Sequence, residues 1–138
     1  MDLFKIFDIA GSAMSAQSVR LNTTASNLAN ANTVAGSAAA AYHSRQPVFQ
    51  TVMDNSAGTD PASAGVRVAG VVETSAQPTQ IHDPGNPLAD ADGYIYMSNV
   101  NPVEELVNMI SASRSYQNSV EVLSTSKELM MRTLSLGQ

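Results

Sequence analysis

The chain has 138 residues, the size of one ordinary domain with a single or split core. Charged residues make up 14% of it, against roughly 25% in soluble proteins, while apolar residues at 43% are close to usual. A formal net charge of -5 argues against a nucleic-acid partner, and the lack of cysteine excludes disulfides and thiolate metal sites.

Ser, Thr, Asn and Gln take the place of the missing charge. Their small hydroxyl and amide groups are cheaper than Lys or Glu to move into a hydrogen-bonded contact, so the surface suits burial. Met1 to Gly11 sets Asp2 and Asp8 against Lys5 and lacks the apolar run of a secretory signal. No stretch has the length or apolarity of a membrane span, and we expect no membrane insertion.

All six prolines (Pro47, Pro61, Pro78, Pro84, Pro87 and Pro102) lie in the middle of the chain, leaving both flanks free of the strongest helix breaker. The chain therefore divides into an N-terminal helix over 1–32, a central region over 33–100 and a C-terminal helix over 101–138. The expected class is mainly α with a small β region: long terminal helices paired as a coiled coil, with a central β-hairpin and irregular loops.

In the first segment Leu3, Phe7, Ala10, Met14, Gln17, Leu21, Thr24 and Leu28 step by four and three, the seam of a heptad repeat. Asn32 and Gly36 follow, both tolerant of the left-handed conformation that often ends a helix, which places the end near Asn30. Gly36-Ser37 and Ala38 to Ala41 form a small-residue linker, either coil or a helical extension.

Pro47 to Asp54 and Val66 to Thr74 are rich in β-branched and apolar residues and flank a turn-forming stretch from Asn55 to Pro61, which predicts a hairpin. Gln80-Ile81-His82 and Gly93 to Met97 predict short strands. Asp83-Pro84-Gly85-Asn86-Pro87 between them has the chemistry of an irregular turn.

Asn101-Pro102-Val103-Glu104 supplies an N-cap side chain, a proline at the first helical position and an acid at the third. From there Leu106, Met109, Ser113, Tyr116, Val120, Leu123, Lys127, Met130 and Leu134 repeat the heptad spacing up to Gly137, a candidate C-terminal cap. Such a helix would be ~50 Å long.

The residues carry no recognisable catalytic or cofactor chemistry. His43 and His82 are the only histidines, too few to anchor a transition-metal site without scattered carboxylates. Asp90-Ala91-Asp92-Gly93 has part of a calcium-loop pattern but lacks its other ligands, and reads as a turn. No G-x-S-x-G, P-loop or dinucleotide motif occurs, so we expect neither an enzyme nor a cofactor.

An apolar stripe on one helix usually means an internal core. Here the faces off the first seam are Ser12, Ser15, Ser18, Asn22, Thr23, Ser26 and Asn27, not the Glu and Lys of a solvated coiled coil. Two such helices alone offset the ordering entropy of their residues only marginally. The termini are therefore expected to be frayed in a free monomer and to fold as neighbouring subunits cover them.

Ser26-Asn27-Leu28-Ala29-Asn30-Ala31-Asn32-Thr33 resembles the signature that closes the first helix of flagellar rod and hook proteins. Four further stretches narrow the resemblance to the proximal-rod members: Ile6 to Ala13, Arg45-Gln46-Pro47-Val48-Phe49, Pro84 to Tyr94, and Ser111 to Gln117. It continues through Val120-Glu121-Val122-Leu123 to Thr133 to Gln138, and departs at Ser37 to Ser44. A distal rod or hook subunit of the same family, a coiled-coil secretion adaptor and a small hydrolase using His82 and an aspartate are rival readings, and Arg45 to Phe49 and Asn86 to Tyr94 favour the proximal rod over all three.

The resemblance implies a structural subunit of the proximal rod, exported by the flagellar type III apparatus without a cleaved signal. It would assemble with other rod proteins and copies of itself into the torque-bearing shaft that crosses the periplasm. It also implies terminal helices in the inner layer of a helical tube and the middle segment outside them. Leu3, Phe7, Met14, Leu21 and Leu28 are then expected to face Leu106, Met109, Tyr116, Val120, Leu123, Met130 and Leu134 in subunit packing. Asn27, Asn30, Asn32 and Arg114 would supply its polar contacts.

Overall fold

The computed structural model describes residues 3–53 and 64–136. Helix α1 (Leu3–Asn30) is followed by β1 (Val34–Ala35), β2 (Arg45–Met53), β3 (Ala64–Glu73), β4 (Thr79–His82), β5 (Tyr94–Met97) and helix α2 (Pro102–Leu136). The expected mainly helical architecture with a small antiparallel β region is what the chain adopts. The expected turn over Asn55 to Pro61 and the cap at Gly137 lie outside the described residues.

The start of α2 follows from its sequence. Asn101 Oδ1 accepts the Val103 amide at 3.1 Å and the Glu104 amide at 3.5 Å, and the Asn101 carbonyl receives the Glu105 amide at 3.0 Å. A cap of this kind is worth about 1 kcal/mol.

The end of α1 is where expected but is made differently. Among the described residues only Gly93 has positive φ, so neither Asn32 nor Gly36 adopts a left-handed cap. Instead Asn30 Nδ2 donates to the Ser26 carbonyl at 2.8 Å, and the Thr33 hydroxyl and backbone amide both donate to the Asn30 carbonyl, at 2.7 and 3.2 Å. Side chains and turn amides thereby satisfy the orphan carbonyls of the last turn.

β2 and β3 form the expected hairpin, paired from Arg45↔Glu73 to Met53↔Ala64 with a register shift between Val48 and Phe49. β1, β5 and β4 make a second, three-stranded antiparallel sheet that the sequence suggested only in part. Residues 36–41 are a turn, closed by the Ala40 and Ala41 amides on the Ser37 carbonyl, and not a helical extension. A Cβ on Gly36 would stand 2.9 Å from the Leu88 carbonyl oxygen, so only glycine lets β1 lie this close to the 83–92 loop.

α1 and α2 pack along one another in antiparallel sense, with Arg20 bonded to Asn108 and the first turns of α1 beside Asn118 to Val122. The packed line of α2 departs from the expected seam. Met109, Tyr116, Leu123 and Met130 are half-buried as that seam requires, but Leu106, Val120 and Leu134 are 46%, 42% and 69% exposed. Glu105, Ala112 and Ser126, one residue earlier in each heptad, are buried in their place, and Ser119 is half-buried.

Side-chain size accounts for the shift. The buried residues of α1 are Ala10, Ala16, Thr23, Thr24 and Asn27, and apart from Asn27, which turns to β2, they are small, as are Ala112 and Ser126 of α2, so the two helices present small groups to one another. Hydroxyls buried in this way remain satisfied: Thr23 bonds the Val19 carbonyl at 2.9 Å and Thr24 the Arg20 carbonyl at 3.0 Å. Phe7, Met14, Leu21 and Leu28 flank this line half-buried. Leu3 opens the helix, and its side chain lies outside what is described.

Candidate functional site

The polar centre of the fold is Asn27, the only large side chain fully buried among the described residues. Its Oδ1 accepts the Arg45 amide at 2.9 Å and the Tyr42 hydroxyl at 3.0 Å. Its Nδ2 donates to the Arg45 carbonyl at 2.8 Å and to Ser44 Oγ at 3.3 Å. Because the Arg45 amide can only donate and its carbonyl only accept, the orientation of the Asn27 amide is determined. The side chain thus pairs with Arg45 as a neighbouring strand would, and fixes where β2 begins against α1.

A second layer extends this junction toward α2. The Ser44 amide donates to Asn99 Oδ1 at 2.6 Å, Asn99 Nδ2 donates to the Ala76 carbonyl at 2.7 Å, and Ser98 Oγ donates to the Ala31 carbonyl at 2.7 Å. Sequence reasoning missed Tyr42, Ser44, Ser98 and Asn99, which sit in segments without periodicity. At the far end of the hairpin Ser12 Oγ accepts the Val66 amide at 3.1 Å while donating to the Ile9 carbonyl at 2.8 Å, tying the ribbon back to α1.

The remaining site candidates fall into two groups. Asn30 is spent on the end of α1, whereas Asn32 and Arg114 are exposed. Leu106, Val120 and Leu134 join Val103, Val107, Ile110 and Leu129 in a set of exposed apolar side chains along α2. The hairpin adds Val48, Phe49, Val71 and Val72. An open groove of about 380 Å³ between the helices is walled by Ile6, Ile9, Ala13 and Val122.

Asp90 does not make a cation loop. Its Oδ1 accepts the Tyr94 amide at 2.8 Å and the Asp92 amide at 3.0 Å, and its Oδ2 the Tyr96 hydroxyl at 3.2 Å. These bonds, the Tyr94 amide foremost, hold its carboxyl below the ordinary aspartate value. Among the described residues no cluster of three or more metal-ligating side chains occurs, and no helix is long and apolar enough to cross a membrane.

A second cleft, about 410 Å³, opens between α1, β2 and the first turn of α2, and is lined by Arg20, Arg45, Phe49, Glu104 and Glu105 among others. Glu105 is 5% exposed, and its Oε2 has no hydrogen-bond partner among the described residues. Burial pushes its carboxyl above the ordinary glutamate value, opposed by the Asn27 side chain, reinforced by the Glu104 charge and opposed by Arg20.

Comparison with known proteins agrees with this picture along the whole chain. The family model described as "Flagella basal body rod protein" matches residues 7–36, and the one described as "Flagellar basal body rod FlgEFG protein C-terminal" matches residues 91–136. The flagellar basal-body rod protein FlgC of Salmonella typhimurium is 54% identical over 138 residues, covering 100% of both chains. That of Yersinia enterocolitica is equally similar over the same span, and that of Buchnera aphidicola from Schizaphis graminum is 43% identical over 144 aligned positions, again covering both chains entirely.

Two outcomes follow from the junction. Asn27→Ala removes the partners of the half-buried Arg45 amide and carbonyl and is expected to destabilise the chain by about 2 kcal/mol, read by urea denaturation. Glu105 favours its proton more in the folded than in the unfolded state. Its contribution to stability is therefore fully present below the ordinary glutamate value and is lost as pH rises through the raised folded value. Glu105→Gln is expected to remove that downward slope from a pH series of denaturation curves, and an unchanged slope would assign it to another group.

Proposed function

The chain belongs to the FlgC family of flagellar basal-body rod proteins, and on that premise we propose that it is a non-enzymatic subunit of the bacterial proximal rod. In this reading it polymerises into the drive shaft that transmits motor torque. The observation that carries the reading is the 54% identity to rod proteins over the whole of both chains, with no segment of either left over.

The surface supports a polymer. Large apolar side chains on α2 stand outside while alanine, serine and threonine occupy the helix interface, the reverse of what a self-sufficient monomer needs. A helical shaft requires heterologous contacts between two different patches of each subunit, since identical patches would close into a dimer. Leu106, Val120 and Leu134 provide one patch, and the groove beside Ile6 and Ile9 provides a complement. Arg114 and Asn32, both exposed, supply polar contacts at their margins.

On this reading residues 1–32 and 101–138 form the inner terminal-helix unit, paired as a coiled coil once neighbours impose the supercoil, and 33–100 form the outer region. Partners are other rod proteins, copies of the same chain and, during export, the flagellar type III apparatus. Nucleic acid, cofactors and membrane insertion have no part in it. The location is the rod within the periplasm.

Leu134→Asp tests the patch separately from the fold. Because Leu134 is 69% exposed, the substitution is expected to change the stability of the dilute chain by less than about 0.5 kcal/mol while abolishing incorporation into purified basal bodies. Normal incorporation and swimming would remove Leu134 from the interface. Limited proteolysis provides the companion measurement: helical ends protected in basal bodies but cleaved in the dilute chain are expected, and ends equally protected in both would end the idea that they fold on assembly.

A further inference from the structure

The β2–β3 ribbon is exposed over most of its length. Val48, Phe49, Val52, Val66, Val71 and Val72 are each between 38% and 52% exposed, and a two-stranded ribbon is at best marginally stable without further pairing or packing. Its ladder fixes which backbone groups remain open. In an antiparallel pair the amide and carbonyl of successive residues point alternately toward the partner strand and away from it. Arg45 points away, since its amide and carbonyl go to Asn27, and Val66, opposite Thr51, also points away, since its amide goes to Ser12 Oγ at 3.1 Å. Phe49 and Thr51 therefore turn their amides and carbonyls outward from β2, on the edge opposite the one that Ser12 holds against α1. Among the described residues no hydrogen bond meets those groups.

An open strand edge is a template for another strand, and natural edges are commonly blunted by charge or proline. From Val48 to Val52 β2 has neither. A cleft of about 410 Å³ separates Pro47 and Phe49 from the first turn of α2, so that helix leaves the edge accessible. The stretch is also nearly palindromic, Val-Phe-Gln-Thr-Val, centred on Gln50. When two such strands lie antiparallel with Gln50 opposite Gln50, Phe49 of each copy faces Thr51 of the other, and every outward amide and carbonyl of both residues finds a partner. Val48 of each copy meets Val52 of the other, a favourable β-branched contact. Gln50 Oε1 already accepts from Arg67 at 2.8 Å, which leaves Nε2 to donate to the amide oxygen of the second copy's Gln50. Pro47, which lacks an amide, falls beyond these bonds.

We propose that the open edge of β2 is the contact surface for a second copy of this chain, the two ribbons joining edge to edge in one four-stranded sheet with Gln50 on the two-fold axis. Because an isologous contact closes on itself, the pair is a form of the unassembled chain and not a contact of a helical shaft. The inference therefore stands apart from the rod reading. Pairing hides the outward groups of Phe49 and Thr51 from further strand addition, and so shields the edge through which an unassembled subunit would otherwise aggregate.

Sedimentation equilibrium of the purified full chain tests this. A reversible, concentration-dependent rise to twice the 14.5 kDa of one chain is expected. Thr51→Pro removes an outward amide and spares the ribbon's own ladder, so it is expected to raise the dissociation constant about tenfold or more with an unchanged circular dichroism spectrum. The chain has no cysteine, so Gln50→Cys crosslinks only with its counterpart in another copy. The pairing sets those two Cα atoms about 4.5 Å apart, within disulfide range, and mild oxidation is expected to give a covalent dimer. Val48→Cys, whose counterpart lies about 13 Å along the second strand, is expected to stay uncrosslinked. A mass of one chain at every concentration, a dimer indifferent to Thr51→Pro, a Val48→Cys disulfide that forms as fast as the Gln50→Cys one, or growth into open-ended oligomers would each overturn the proposal. Should Thr51→Pro fail to fold, the comparison of the two cysteine variants decides by itself.

Discussion

The rest of the structure depends on the buried amide of Asn27. A helix and a β-ribbon meet there, and the first residue of the ribbon would otherwise leave a half-buried backbone N–H and C=O without these partners against the helix. Asn27 meets both groups of Arg45 and, with its remaining capacity, Tyr42 and Ser44. Each bond contributes about 1 kcal/mol net, but losing the set leaves several buried polar groups without partners, which costs more than the bonds contribute. No other side chain of its size is buried so completely among the described residues. The junction therefore sets how the hairpin leaves α1, and through Ser44 and Asn99 how the second sheet lies beside it.

The helix interface works by a different economy. Ala10, Ala16 and Ala112 bury little area each, so contact between the backbones replaces the large apolar core of an ordinary domain. Satisfied hydroxyls such as Thr23 and Thr24 fit the same narrow interface. The large apolar residues this displaces lie on the outer faces of α2, where neighbouring molecules can cover them. A weak internal core and an apolar exterior are two aspects of one distribution.

The Glu105 cleft sits where these two arrangements join. Its carboxylate lies under the first turn of α2, next to Asn27 and across from Arg20, so a change in its charge or partner acts on the junction that organises the fold. The exposed Arg45–Glu73 pair nearby contributes little by itself, being open to solvent on both sides.

Several features were legible in the amino-acid sequence by itself. The proline distribution marked two uninterrupted helices, Asn101-Pro102 marked the start of the second, the β-branched runs marked the hairpin, and the motifs from Ile6 to Gln117 marked the family. These signals are local: caps, breakers, strand formers and short motifs act over a few residues. Only the tertiary structure decided which line of α2 meets α1, because heptad spacing reports where apolar residues recur and not how closely two backbones approach. Ala112 and Ser126 prevailed over Val120 and Leu134 on size. Only the tertiary structure, too, paired Asn27 with Arg45 and buried Glu105, since a hydrogen-bond partner 18 residues away in the chain leaves no periodic trace and the burial of a carboxylate depends on neighbours that folding alone brings together.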